Sequence, residues 1–199
     1  MKLYAAVLMA LLPCLAVSAE IDKNRALGSP TAPVRLEIFS DFACPQCKRF
    51  HEEVLPQLMK DYVVAGKVYV VDRAFPLAIP GHEHSREAFG YAVAAARIGK
   101  YQRVADVLYA QQAKWAVNGN VWATVASALP SPADQKKVQE LSKDPGVLAE
   151  IEAEYQYGVA SGISSTPTLV LIAGGRNYNL PNAPDYRLLT QMIDVYLPK

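Results

Sequence analysis

The stretch SDFACPQCKRFHEEVLP, residues 40–56, constrains this chain more than any other. Two cysteines in it, Cys44 and Cys47, enclose Pro45 and Gln46. The preceding VRLEIFSDF (34–42) is apolar and rich in β-branched and aromatic residues, which predicts a strand. From Cys44 the pattern turns helical, with Phe50, Val54, Leu58 and Tyr62 recurring every four residues. Pro45 suits the first helical turn, where its missing N–H is no loss. Pro56 predicts a kink, and Gly66 ends the helix. A C-x-x-C at such a junction has a definite chemistry. Cys44 faces the free N–H groups and the positive end of the helix dipole. Both favour a thiolate, so its pKa is expected below the free value of ~8.5. Cys47, one turn further in, is expected beneath Cys44, less exposed and within bonding reach.

Three uses of the pair are open: a staple, a metal site and electron exchange. A loop enclosing two residues restricts the unfolded chain little, which argues against a staple. Zinc takes four ligands, and the chain has three histidines, His51, His82 and His84, to add. A carrier using Cys44, Cys47 and the His82/His84 pair is the metal-binding alternative. Its thiols would have to stay reduced in an oxidising compartment. Otherwise His82 and His84 read as a solvated loop ahead of a helix at Ser85, and His51 as a partly exposed helix residue. The redox reading is favoured.

That compartment is predicted from the first nineteen residues, MKLYAAVLMALLPCLAVSA. Lys2, a short apolar run and small residues at Val17 and Ala19 form a secretory signal peptide, with cleavage near Ala19. The protein is then exported, periplasmic or otherwise extracytoplasmic. Removal of this segment takes Cys14 and one lysine, so the formal charge falls from +1 to zero. A neutral chain without a Lys/Arg block offers no electrostatic case for nucleic acid. At 199 residues the chain suits one domain, residues 20–199 after cleavage.

Residues 20–33 read as an irregular lead-in. A second strand is predicted at KVYVVDRAF (67–75), stopped by Pro76. A helical block follows over about 80–160, from SREAFGYAVAAARIG through KYQRVADVLYAQQAKW to DPGVLAEIEAEYQYGVASG. Then come the strand TPTLVLIAGG, a short strand in AGGRNYNL and a terminal amphipathic helix in APDYRLLTQMIDVYL. A strand–helix–strand unit followed by helices, strand and helix is an α/β order with parallel pairing. The helical block is too long for one crossover and should form a lobe against the sheet.

VRLEIFSDFACPQCKRFHEEVLPQL, RAFPL, KYQRVADVLYAQQAKW and GISSTPTLVL, in this order, resemble the DsbA-like branch of the thioredoxin superfamily, over about Val34 to Leu197. The resemblance implies a thioredoxin-like fold, a mixed sheet with flanking helices and an inserted all-helical lobe. It implies a thiol-disulfide oxidoreductase that forms disulfides, with Cys44 attacked through an exposed sulfur and Cys47 resolving. Pro167 would be cis and, with Thr166, Pro45 and Gln46, would shape the active site. Substrates would be thiols of unfolded or folding proteins, and a membrane quinone-coupled oxidase would restore the disulfide. No bound cofactor or metal is implied, and the protein is expected to be a monomer. A reductase or isomerase of the same fold is the nearer alternative. There are two departures. Family members usually carry an acid six positions before the first cysteine, where this chain has Ile38. Glu37 is one residue earlier and so on the opposite strand face, expected as a surface or lobe contact. Gln46 stands where strong oxidants often place His, which suggests a milder oxidant.

Overall fold

A computed structural model describes residues 23–197. The predicted signal segment, residues 1–19, lies outside the described residues. Five strands, β1 (Ala26–Leu27), β2 (Val34–Ser40), β3 (Val68–Ala74), β4 (Thr168–Ala173) and β5 (Arg176–Pro181), form one sheet in the order β1-β3-β2-β4-β5. β2 and β3 run parallel, from Val34 opposite Val68 to Ser40 opposite Ala74. The other pairings are antiparallel, so the sheet is mixed. The segment expected to be an irregular lead-in contains β1, which pairs Ala26 with Val71 and Leu27 with Val70. Two residues are too few to show a period of two.

The helix that opens at the cysteines is α1 (Pro45–Arg49). It continues through a widened turn at Phe50–Val54, α2 (Leu55–Leu58) and a second widened turn at Met59–Val63. Pro56, where a kink was expected, sits at the start of α2 with helical geometry on either side. The Leu55 N–H reaches back five residues to the Phe50 carbonyl, so the ladder widens where proline cannot donate.

Between β3 and β4 lie α3 (Ser85–Ala96), α4 (Tyr101–Ala110), α5 (Gln112–Asn118), α6 (Val121–Ser127), α7 (Pro132–Leu141) and α8 (Pro145–Ala160). The stretch KYQRVADVLYAQQAKW of the predicted helical block is helical on both sides of a break at Gln111, as α4 and α5. On α3, Ala88, Ala92, Ala94, Ala95 and Ala96 are fully buried with Phe89 and Val93. Small side chains let neighbouring helices approach this central one closely. Its core is continuous with Phe42, Tyr109, Trp115 and both cysteines. The sulfurs thus sit at the seam between sheet and helical lobe. α9 (Tyr186–Asp194), capped by Asp185 through the Leu188 N–H at 2.8 Å, packs Leu189 and Ile193 on the sheet beside Leu58.

Alternation along β2 sorts its side chains. Leu36 and Ile38 face the core beneath the cysteine-bearing helix, and Phe39 joins Phe75 on the other face. Glu37 is buried on that second face, where Arg73 donates to it at 2.7 Å, Arg35 at 2.6 Å and the Tyr157 hydroxyl at 3.2 Å. Glu154 of α8 accepts from Arg25 at 2.8 Å and from the Ala74 N–H at 2.9 Å. Glu37 is therefore a lobe contact in a charged chain that pins α8 to the sheet. No helix among the described residues is long and apolar enough to cross a membrane.

Gly158 lets α8 approach that closely. A Cβ there would stand 2.7 Å from the Phe75 ring and 3.0 Å from Phe39. Gly158→Ala is expected to destabilise the protein by about 1–3 kcal/mol by overpacking. Helix propensity alone would stabilise it by up to about 1 kcal/mol, so the sign of the shift in the urea midpoint decides. A stabilised variant would show that the contact has room to give.

Candidate active site

Cys44 is the residue that caps α1, with extended backbone (φ −77°, ψ 120°) and the Lys48 N–H bonded to its carbonyl at 3.1 Å. Pro45 and Gln46 are exposed on the rim, and Cys47 is buried one turn in. The Thr166–Pro167 peptide bond is cis. It brings the Thr166 carbonyl to 3.3 Å from the Cys44 sulfur, which donates to it as a thiol. Six of the residues singled out in the sequence thus form two layers. Cys44, Cys47, Thr166 and Pro167 make the inner layer, and Pro45 and Gln46 flank it.

One expectation is corrected here. Cys44 was expected to carry an exposed sulfur, yet the residue is only 6% exposed, because the Thr166 backbone lies over it. Gln46 and Pro167, with Arg49, Glu53, Asn182 and Asp185, line a shallow groove on the rim of the site.

The two sulfurs have opposed acidities. The Cys44 pKa falls from the ordinary thiol range to about 6, chiefly because the Cys47 thiol hydrogen-bonds to its sulfur. The Thr166 hydroxyl, buried and otherwise unpaired, and the N–H groups of Gln46 and Cys47 act in the same direction against the cost of burial. The amides are those that a helix start leaves free. Cys47 moves the other way. Burial pushes its thiol well above the ordinary value, and the neighbouring Cys44 adds to this.

Residues outside the motif hold the loop. Asp41 is fully buried, and its carboxylate accepts from the Ala43 N–H at 2.7 Å, the Leu77 N–H at 2.7 Å, His82 Nδ1 at 2.9 Å and the Ser85 hydroxyl. Its own N–H points at the Cys47 sulfur, 3.4 Å away. Gln112 of α5 donates to the carbonyls of Phe42 at 2.7 Å and Cys44 at 3.0 Å. Asp41 could have been found as an Asx turn, an aspartate whose side chain bonds two residues on. Gln112 has no signal in the sequence, because its partners lie some seventy residues earlier.

His82 was expected on a solvated loop and is instead half-buried against Asp41, which gives it a partner at the edge of the lobe. His84 lies 4.0 Å from Glu87. His51 bonds Asp106 at 2.8 Å with its ring against Tyr109. The metal-carrier alternative needs His82 and His84 to converge with the cysteines, and the engagement of His82 by Asp41 works against it. Among the described residues no three His, Cys, Asp or Glu side chains group as a metal site.

Comparison with known proteins places this geometry. Residues 20–194 match the family model described as thioredoxin. A probable disulfide bond formation protein D of Bacillus cereus is 27% identical over 181 residues, 88% of this chain and 80% of that protein. The crystal structure of Wolbachia pipientis alpha-DsbA1 superposes with a TM-score of 0.72 at 18% identity, covering 86% of this chain and 89% of that one. Oxidised BdbD from Bacillus subtilis gives 0.65 at 20% identity, covering 86% and 91%. These two likenesses establish the shared fold.

The acidities yield a direct expectation. In the reduced protein, alkylation of Cys44 by iodoacetamide should titrate with a midpoint near pH 6. Cys47→Ala removes the largest cause of that depression, so the midpoint should move up toward the ordinary thiol range. A midpoint unmoved by Cys47→Ala would assign the acidity to the helix start alone.

Proposed function

The chain belongs to the thioredoxin family as a thiol-disulfide oxidoreductase of the DsbA-like kind, and from that premise we propose that it forms disulfides in exported proteins through Cys44 and Cys47. The observation that carries this reading is Cys44 at the start of α1 with the Thr166 carbonyl 3.3 Å from its sulfur and Cys47 buried one turn in, an arrangement that lowers the pKa of the first thiol and raises that of the second. A substrate thiolate attacks the Cys44 sulfur of the Cys44–Cys47 disulfide, and Cys47 leaves. A second substrate thiolate then attacks the substrate sulfur of the mixed disulfide. The substrate disulfide forms and Cys44 leaves as a thiolate, which its hydrogen bonds stabilise.

That stability sets the direction. A thiol pKa lowered from 9.0 to about 6 favours the reduced protein at neutral pH. Taken whole, above the ordinary thiol value, it corresponds to about 4 kcal/mol or roughly 90 mV; at pH 7 about a third of this is expressed, about 1.4 kcal/mol or roughly 30 mV toward an oxidant. The sign follows from linkage. The depressed pKa contributes stability to the reduced form that is fully present above the ordinary thiol value and is lost as pH falls through about 6. The disulfide is therefore a stronger oxidant at neutral pH than in acid, relative to an unperturbed thiol pair. This supports an oxidase over a reductase or isomerase. Gln46, which offers no positive charge to the thiolate, supports a milder oxidant than one with His at that place.

In the same proposal, residues 1–19 direct export and are removed near Ala19. Residues 20–199 then work as one thioredoxin-like domain with a helical insertion over about 80–160. The partners are thiols of folding proteins and a membrane quinone-coupled oxidase that restores the disulfide. Gln46 and Pro167 border the groove in which a substrate strand lies, Pro45 stands on the rim, and the Thr166 backbone offers the strand hydrogen bonds.

Oxidative refolding of reduced ribonuclease separates the two cysteines. Cys44→Ser should abolish turnover. Cys47→Ser should accumulate mixed disulfides with substrate, visible as slow-migrating bands that a reductant removes. Full activity in Cys44→Ser would refute the assignment.

A further inference from the structure

Cys47 leaves as a thiolate in a place where water cannot readily hydrate it, so its proton needs a source. A cavity of about 20 Å³ lies against it, lined by Cys47, Ser40, Asp72, Tyr109, His51 and Pro167 among others. That is room for about one water molecule among several polar groups. From β2 only Ile38 and Ser40 reach this cavity, while Glu37 is committed to Arg73 on the opposite face. The carboxyl comes from β3. Asp72 stands directly across the parallel ladder from Ile38, on the same face.

Hydroxyl and charged groups converge on this carboxyl from several elements. The Ser40 hydroxyl donates to Asp72 Oδ1 at 2.8 Å, and the Tyr101 hydroxyl of α4 donates to Oδ2. Arg25 donates to the Asp72 backbone carbonyl at 3.1 Å while its charge is shared with Glu150 and Glu154. His51 approaches from the widened turn after α1, and Tyr109 from α4. Asp72 keeps some accessible surface at the cavity. It is nonetheless deep enough that burial raises its pKa, against the lowering effects of Tyr101, Arg25, Ser40 and His51. Tyr109 links the parts. It lines the same cavity as Cys47, Ser40 and Asp72, and the charges of Cys47 and Asp72 both act on its buried hydroxyl. Its own pKa is pushed well above the ordinary value, chiefly by burial, so it stays protonated and can receive one proton while passing on another.

We propose that Asp72, acting through the Tyr109 and Ser40 hydroxyls, supplies and takes back the proton of Cys47. Asp72 is thus a positioning residue for thiol-disulfide exchange, and this rests on the redox reading above. The step balances. The substrate thiolate forms a bond to the Cys44 sulfur, the Cys44–Cys47 bond breaks, and its electron pair goes to Cys47. Cys47 gains the proton that Asp72 loses, and Asp72 becomes a carboxylate. It regains a proton from solvent on the His51 side, where His51 meets the exposed Asp106. In the reverse direction the carboxylate accepts the proton when Cys47 attacks a mixed disulfide.

The test is the rate at which dithiothreitol opens the oxidised protein, measured from about pH 5 to pH 9. Asp72→Asn should open about tenfold or more slowly at the acid end, a lower bound on the roughly hundredfold or more usual for a lost general acid. The deficit should vanish as pH rises through the Asp72 pKa, because the wild-type acid is then ionised too. Tyr109→Phe keeps the ring and should show the same closing gap, and it decides the matter if Asp72→Asn fails to fold. A ratio to wild type that is constant across pH, whether one or ten, overturns the proposal, since a structural role would not follow the protonation of Asp72. A wild-type disulfide inert to dithiothreitol would instead sink the redox reading itself.

Discussion

The interaction between the Cys47 thiol and the Cys44 sulfur organises the acidities of this site. It is the largest cause of the low Cys44 pKa and raises the Cys47 pKa as well. One interaction therefore makes one sulfur a good leaving group and keeps a proton on the other. It survives only while the two residues are held one helical turn apart. Asp41 fixes the loop below through four donors, and Gln112 fixes the carbonyls of Phe42 and Cys44 from the lobe. The chemistry depends on this frame more than on the dipeptide itself.

The helical lobe is more than a decoration on the sheet. It supplies Gln112, Tyr109 and Tyr101 to the neighbourhood of the sulfurs, and Ser85 to Asp41. Its attachment runs through a charged chain, Arg25–Glu154–Arg73–Glu37, in which each acid is shared between cations. Buried ion pairs add little net stability over hydrocarbon, but breaking one partner leaves an uncompensated charge. The chain is better understood as fixing the angle of α8 against β3, and so the walls of the cavity below Cys47.

The sequence made some of this legible. Strand, C-x-x-C and helix could be read at 34–62 because period and motif coincide there, and Thr166–Pro167 because a motif carried it. Local pattern could not show what distant residues supply. β1 has too few residues for a pattern, and His82 looked like loop because its partner Asp41 lies forty-one residues earlier. The Cys44 sulfur looked exposed because nothing in the motif says that the Thr166 backbone covers it. The acid is the sharpest case. Along β2 the sequence offered Ile38 at the expected place and Glu37 on the wrong face. The carboxyl at the cavity belongs to the neighbouring strand, where only the register of β2 on β3 reveals it.

The equilibrium potential of the Cys44–Cys47 couple against glutathione bears most directly on the whole account. Hydrogen bonds that stabilise the Cys44 thiolate should hold it more positive than about −200 mV, short of the roughly −120 mV of the strongest oxidants of this fold. A value near −270 mV, that of a reductant such as thioredoxin, would mean the reduced form gains nothing from those bonds, and would contradict the account.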